Sequence, residues 1–228
     1  MLPGGQLTPP HNVRKPNNQN SRASSGDSDA MLPIVMLTNA NRLHNKIDEL
    51  YCLVNTERFD VICITETWLS PEVPDSVYQM PDFLIFRRDR LDRMGGGVMF
   101  YVRPCLNPRS IVPCVASANE FELLWILLRP ARLPRPLSVI IVAVLYCPPW
   151  YDRQTKKQLT EHIISCIDAL NRRYDHPGFL FTGDFNSLDT GFFEADCTLG
   201  NLLKSIQELI KFLTTFLRIF TSSILMQK

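Results

Sequence analysis

Residues 137–147, LSVIIVAVLYC, form an apolar run dense in β-branched side chains and closed by Pro148-Pro149. Proline lacks a backbone N–H and continues neither a helix nor a ladder, so the run ends there. It is too short to cross a bilayer, which needs about 20 residues. An apolar run of this kind is a central strand, covered on both faces. The rest of the chain must therefore supply a layer for each side of it.

Other runs have strand character: LPIVMLTNA (32–40), FDVICITETWL (59–69), YQMPDFLIFRRDR (78–90), GGGVMFYV (95–102), Ser110–Cys114, Phe121–Leu128 and Phe179–Asp184. The spacing predicts a helix over Asn41–Asn55, with Leu43, Ile47, Leu50 and Val54 on one face. It predicts another over Gln154–Tyr174, with Leu159, Ile163, Cys166, Ile167 and Leu170 on one stripe. Many strands with few helices argue for α+β or a layered sandwich, not a regular βαβ repeat.

The ends differ from this middle. Residues 1–30 are rich in Pro, Asn, Gly and Ser, and are expected to be disordered. An ordered domain is expected over 31–196. In the tail, 197–228, Leu202, Ile206, Leu209, Leu213, Phe216 and Phe220 alternate in spacings of four and three, which predicts an amphipathic helix. Such a helix covers a sheet or, alternatively, binds a partner or a membrane surface. Its charges, Lys204, Glu208, Lys211 and Arg218, argue against spanning.

A formal net charge of +1 gives no overall field toward nucleic acid or lipid, so any such binding is local. The seven cysteines include no C-x-x-C pair, and four sit in apolar periodic segments. They suit a reducing compartment better than a disulfide framework. The N-terminus lacks the apolar core of a secretory signal. The expected location is intracellular, nuclear or cytoplasmic.

Polar groups recur at the carboxyl ends of the apolar runs: Asn39 after PIVML, Glu66 after VICIT, Tyr146 after VIIVAVL, and Asp184 and Asn186 around FLFTGDFN. If those ends converge, two carboxylates, two carboxamides and a phenol share one rim. Hard oxygen donors of this kind suit Mg²⁺ or Mn²⁺. Each residue also has a structural reading. Asn39 or Asn41 caps a helix, Glu66 pairs with an arginine, Tyr146 fills the core, and Asp184 closes an Asx-turn. The basic stretch FRRDRLDR brings Arg87, Arg88, Arg90 and Arg93, either as a solvated loop paired to Asp89 and Asp92 or as contacts to nucleic-acid phosphates.

Taken together, LTNANRLHNK, VICITETWL, RRDRLDRMGGGVMFYV, VLYCPPW and FLFTGDFN resemble the endonuclease/exonuclease/phosphatase superfamily. Within it they look most like the apurinic-type endonuclease domain of non-long-terminal-repeat retrotransposons, a reverse transcriptase-associated module. The resemblance spans about Leu32 to Thr190. It implies a four-layer α/β/β/α sandwich and metal-dependent cleavage of a DNA or RNA phosphodiester. It also implies roles: Glu66 and Asn39 at the metal, Tyr146 on the phosphate, Asp184 on the attacking water, and Asn186 on the charge of the pentacovalent phosphate.

The superfamily commonly ends in an Asp-His pair. His11, His44, His162 and His176 all precede Asp184. The expectation is therefore an incomplete second half and impaired DNA nicking. The alternatives are an inactive, retrotransposon-derived remnant or binding module, or an inositol-phosphate or lipid phosphodiesterase on the same fold.

Overall fold

A computed structural model describes residues 32–114, 121–186 and 188, together with the backbone of 219–221. Two sheets form the centre. The first, in spatial order β3-β4-β2-β1-β9, contains β1 (Val35–Asn39), β2 (Val61–Thr65), β3 (Leu84–Arg88), β4 (Val98–Val102) and β9 (Ile219–Thr221). The second, in the order β5-β6-β7-β8, contains β5 (Arg109–Ile111), β6 (Glu122–Leu128), β7 (Val139–Tyr146) and β8 (Pro177–Asp184). Helix α1 (Ile47–Thr56) lies on the first sheet and α2 (Arg153–Arg173) on the second.

Strand alternation divides the apolar residues into three layers. Val35, Val61, Cys63, Val98, Phe100 and Val102 of the first sheet meet Ile126, Leu128, Val142, Val144 and Leu180 of the second. On the outer face of the first sheet, Met36, Ile62, Ile64, Met99 and Tyr101 pack with Leu43, Leu50 and Phe59. Leu123, Trp125, Ile141, Leu145 and Phe179 face the α2 stripe of Leu159, Ile163, Cys166, Ile167 and Leu170. The result is the α/β/β/α sandwich, with β7 buried along its whole length as its sequence requires.

Several boundaries fall elsewhere than the sequence suggests. Asn41 and Arg42 are left-handed and outside α1, because their N–H groups are used elsewhere: Asn41 on Asn39 Oδ1 and Arg42 on the Glu66 carbonyl. The expected strand over 78–90 starts only at Leu84. Pro81 has no N–H to donate there, and Asp82 turns at φ 63°. The expected helix over 197–228 lies outside the described residues, apart from Ile219–Thr221. That backbone is instead a strand parallel to β1, where it covers the N–H and C=O groups of a sheet edge.

Candidate active site

β1 runs parallel to β2 with Asn39 beside Thr65, and β7 runs parallel to β8 with Tyr146 beside Asp184. Parallel pairing places the carboxyl ends of both partners on the same side. Stacking the two sheets then brings all four ends to one rim. Alternation along β8 turns Leu180 and Thr182 toward the opposite sheet, where Thr182 meets Cys63, and Asp184 continues that row.

Asn39 joins the two halves. Its Nδ2 donates to Glu66 Oε1 at 3.1 Å and to Asp184 Oδ2 at 3.2 Å. Its Oδ1 accepts the Asn41 backbone N–H at 3.0 Å, which fixes the amide's orientation. Asn186 sits beside this group: its backbone N–H donates to Asp184 Oδ1 at 3.2 Å, and its Nδ2 donates to the Cys147 carbonyl at 2.8 Å. Tyr146 completes the group through a hydrogen bond to Glu66. Burial, then the nearby Glu66 and Asp184 carboxylates, hold the Tyr146 phenol well above its usual range, against an opposing pull from Arg90. The phenol therefore keeps its proton and remains a donor. All five residues singled out from the sequence thus occur together.

Backbone strain gathers at the same rim. Among the described residues, eight non-glycine positions have positive φ, and five of them are Asn41, Arg42, Glu66, Trp68 and Asn186. Such conformations cost about 1–3 kcal/mol each and cluster where function over-determines the backbone. Gly183, at φ 136°, lies against the backbone of Leu145 with no room for a Cβ. This close approach aligns Asp184 with Tyr146.

The four arginines divide into two kinds. Arg87 is nearly buried, paired to Asp75 at 2.8 Å and to Asp89 at 3.7 Å. Arg90 is buried against Glu122, with Nε 2.8 Å from Oε1. Glu122 also accepts the Gly97 backbone N–H, so one carboxylate anchors both ends of the 90–97 loop. Arg88 is half-buried, and burial lowers its guanidinium's pKa while Glu122 opposes the shift. Arg93 is half-exposed, 4.2 Å from the centre of the Trp150 ring. An open groove of about 440 Å³ runs beside the loop, lined in part by Arg88, Arg90, Arg93, Glu122 and Tyr151.

Sequence reasoning missed Glu122, Trp68 and Trp150. The signal for Glu122 was present: a carboxylate opening the apolar strand FELLWILL must be paired if buried. It stands directly opposite Tyr146 in the β6–β7 register.

The rim offers two carboxylates, and among the described residues no group of three or more His, Cys, Asp or Glu could hold a metal. Two carboxylates with water completing the shell is a donor count that Mg²⁺ commonly uses, so the residues fit that ion and not a zinc cage. The described histidines stand elsewhere: His44 at Tyr78, His162 against Phe121, and His176 beside Asp175. No helix among the described residues is long and apolar enough to cross a membrane.

Comparison with known proteins agrees with this architecture. The model of the Endonuclease/Exonuclease/phosphatase family matches residues 12–211. Similar structures include the 3′ phosphatase NExo from Neisseria, solved with a product DNA hairpin, at 14% identity and TM-score 0.51, covering 78% of this chain and 71% of that one. The AP endonuclease LMAP from Leishmania major gives 18% identity and TM-score 0.49 over 66% of this chain, which spans only 54% of that enzyme. The endonuclease domain of TRAS1, a telomere-specific non-LTR retrotransposon, gives 14% identity and TM-score 0.47, covering 78% and 73% of the two chains. No curated protein matches the sequence.

Proposed function

The chain belongs to the Endonuclease/Exonuclease/phosphatase family, a family of nucleases and phosphatases, and on that premise we propose that it is a Mg²⁺- or Mn²⁺-dependent phosphodiesterase that nicks DNA in the manner of retrotransposon endonucleases. One observation carries this reading: Asn39 ties Glu66 of one sheet to Asp184 of the other at the common rim. Two carboxylates drawn this close, with an amide and not an arginine between them, form an anionic point suited to a cation. A bound metal would act as Lewis acid on the scissile phosphate and neutralise the leaving oxygen, with Glu66 as its carboxylate ligand and Asn39 as the amide that positions it.

The remaining groups have matching work. Asp184, oriented by Asn39 and by the Asn186 N–H, orients the attacking water and accepts its proton. Tyr146, held protonated, would turn its single O–H from Glu66 to a phosphate oxygen. One Asn186 N–H is engaged by Cys147, and the other of its two N–H groups meets the developing charge. Arg93 and Arg88, beside the groove, serve the flanking phosphates, whereas Arg87 and Arg90 act through their internal ion pairs.

Conversion of supercoiled plasmid to open circles tests the proposal. Wild type should nick with Mg²⁺ and stop in EDTA, and Glu66→Ala and Asp184→Ala should each lose at least about a hundredfold. Equal nicking by wild type and both variants would sink it.

A further inference from the structure

We propose that Trp68 and Trp150 are stacking surfaces for unpaired nucleobases beside the carboxylate rim, so that the strand to be cut is held best where its bases are unstacked. The inference rests on the nucleic-acid reading above and specifies its substrate.

The two indoles are exposed where most large aromatics are covered: Trp150 is 51% exposed and Trp68 36%, whereas Trp125 is buried at 4%. Both lie close to the rim in sequence and space. Trp68 follows Glu66 by two residues, and Trp150 follows Tyr146 by four. Each carries a guanidinium on its ring. Arg42 stands 4.8 Å from the Trp68 centroid, and Arg93 and Arg90 stand 4.2 Å and 5.3 Å from that of Trp150. A cation beside the ring attracts a nucleotide's phosphate, and the exposed part of the indole is what a base can stack on.

Neither ring is placed by chance packing. Trp150 sits in a tight turn in which Pro148 and Pro149 fix the backbone and the Tyr151 N–H returns to the Pro148 carbonyl at 3.1 Å. Trp68 is left-handed at φ 55°, a strained state for a bulky residue, and its N–H is held by the Gly96 carbonyl at 2.9 Å. The strain contributes nothing to the core, since the ring lies at the surface. Gly95 lies next to the Nε1 side of the Trp68 indole and beside Arg90, whose guanidinium is 5.3 Å from the Trp150 ring centre. A preformed ring loses little entropy on stacking, and each stacked base commonly contributes about 1–3 kcal/mol.

The test is a binding titration of the full chain in EDTA, which removes cleavage from the measurement. Two fluorescein-labelled ligands of equal length and charge are compared: oligo-dT and the same backbone made of abasic tetrahydrofuran units. The base-bearing strand should bind on the order of tenfold more tightly, and should quench tryptophan emission. Trp150→Ala and Trp68→Ala should each shrink that ratio, Trp150→Phe should restore most of it, and unchanged circular dichroism and melting certify folding. A blunt duplex should bind less tightly than oligo-dT at matched salt. Equal affinity for the two strands overturns the stacking inference and leaves the nuclease reading standing. Absence of binding to any of the three ligands overturns both.

Discussion

Asn39 and Asp184 are 145 residues apart in sequence, yet the Asn39 amide nitrogen lies 3.2 Å from an Asp184 carboxylate oxygen. The bond crosses from one sheet to the other, at the point where both sheets end. Its value is positional: a hydrogen bond of this kind contributes only about 1 kcal/mol to stability, but it sets the separation of two groups that must act on one phosphate.

Asn39→Ala should therefore separate stability from rate. Melting should change little, by about 1 kcal/mol or less. Nicking should fall on the order of a hundredfold, because misplaced groups lose the benefit of orientation. Calorimetry beside a plasmid assay checks the pair; equal small losses in both would mean that the amide only caps the turn.

Glu122 should behave in the opposite way. Glu122→Ala leaves Arg90 buried without a counter-charge and frees the Gly97 N–H, at a cost of about 3–5 kcal/mol in urea unfolding. The double variant Arg90→Met/Glu122→Leu should recover most of that loss, since it removes both charges. A double variant no more stable than the single would show that the ion pair itself is required.

Gly183→Ala should be among the most damaging small substitutions. The added methyl would meet the Leu145 backbone, and alanine tolerates φ 136° poorly. A loss on the order of 3–5 kcal/mol in unfolding free energy is expected. A melting temperature within two or three degrees of wild type would contradict the close approach of β7 and β8.

Asp89 gives a pH signature. Burial raises its carboxyl above the ordinary value, more than Arg87 lowers it. A raised folded value means that the native state favours the protonated form. The contribution is thus fully favourable below the unfolded value of 3.8 and is lost as pH rises through the folded one. Asp89→Asn should melt higher than wild type near neutral pH, with the gap closing as pH falls toward that of an ordinary aspartate. A gap independent of pH would assign the effect to something other than ionisation.

Much of the fold was legible because strands covered on both faces leave unbroken apolar runs. VIIVAVLY and VICIT could hardly be anything else, and the α2 stripe repeats cleanly over several turns. The rim residues were legible as a set because each follows such a run. Local turn geometry was not. Arg42 carries no mark that it would leave the helix, since the reason is its long-range bond to Glu66, and Asn41 follows through a local turn closed on the Asn39 side chain. Glu122 was hidden for the same kind of reason: its partner Arg90 lies 32 residues away, inside a stretch that reads as solvated. The basic run FRRDRLDR looked uniform, and burial divided it into anchors and surface cations.

The layer between the sheets acts as a gauge block. Glu66 and Asn39 are mounted on one plate and Asp184 and Tyr146 on the other, so the width of the gap follows from the side chains stacked beneath it, Phe100 and Val142 among them. Trimming or enlarging those interior groups changes no atom of the rim, yet it resets the distance across which the two halves must meet. In this chain, tolerance in the deep interior is tolerance in the site.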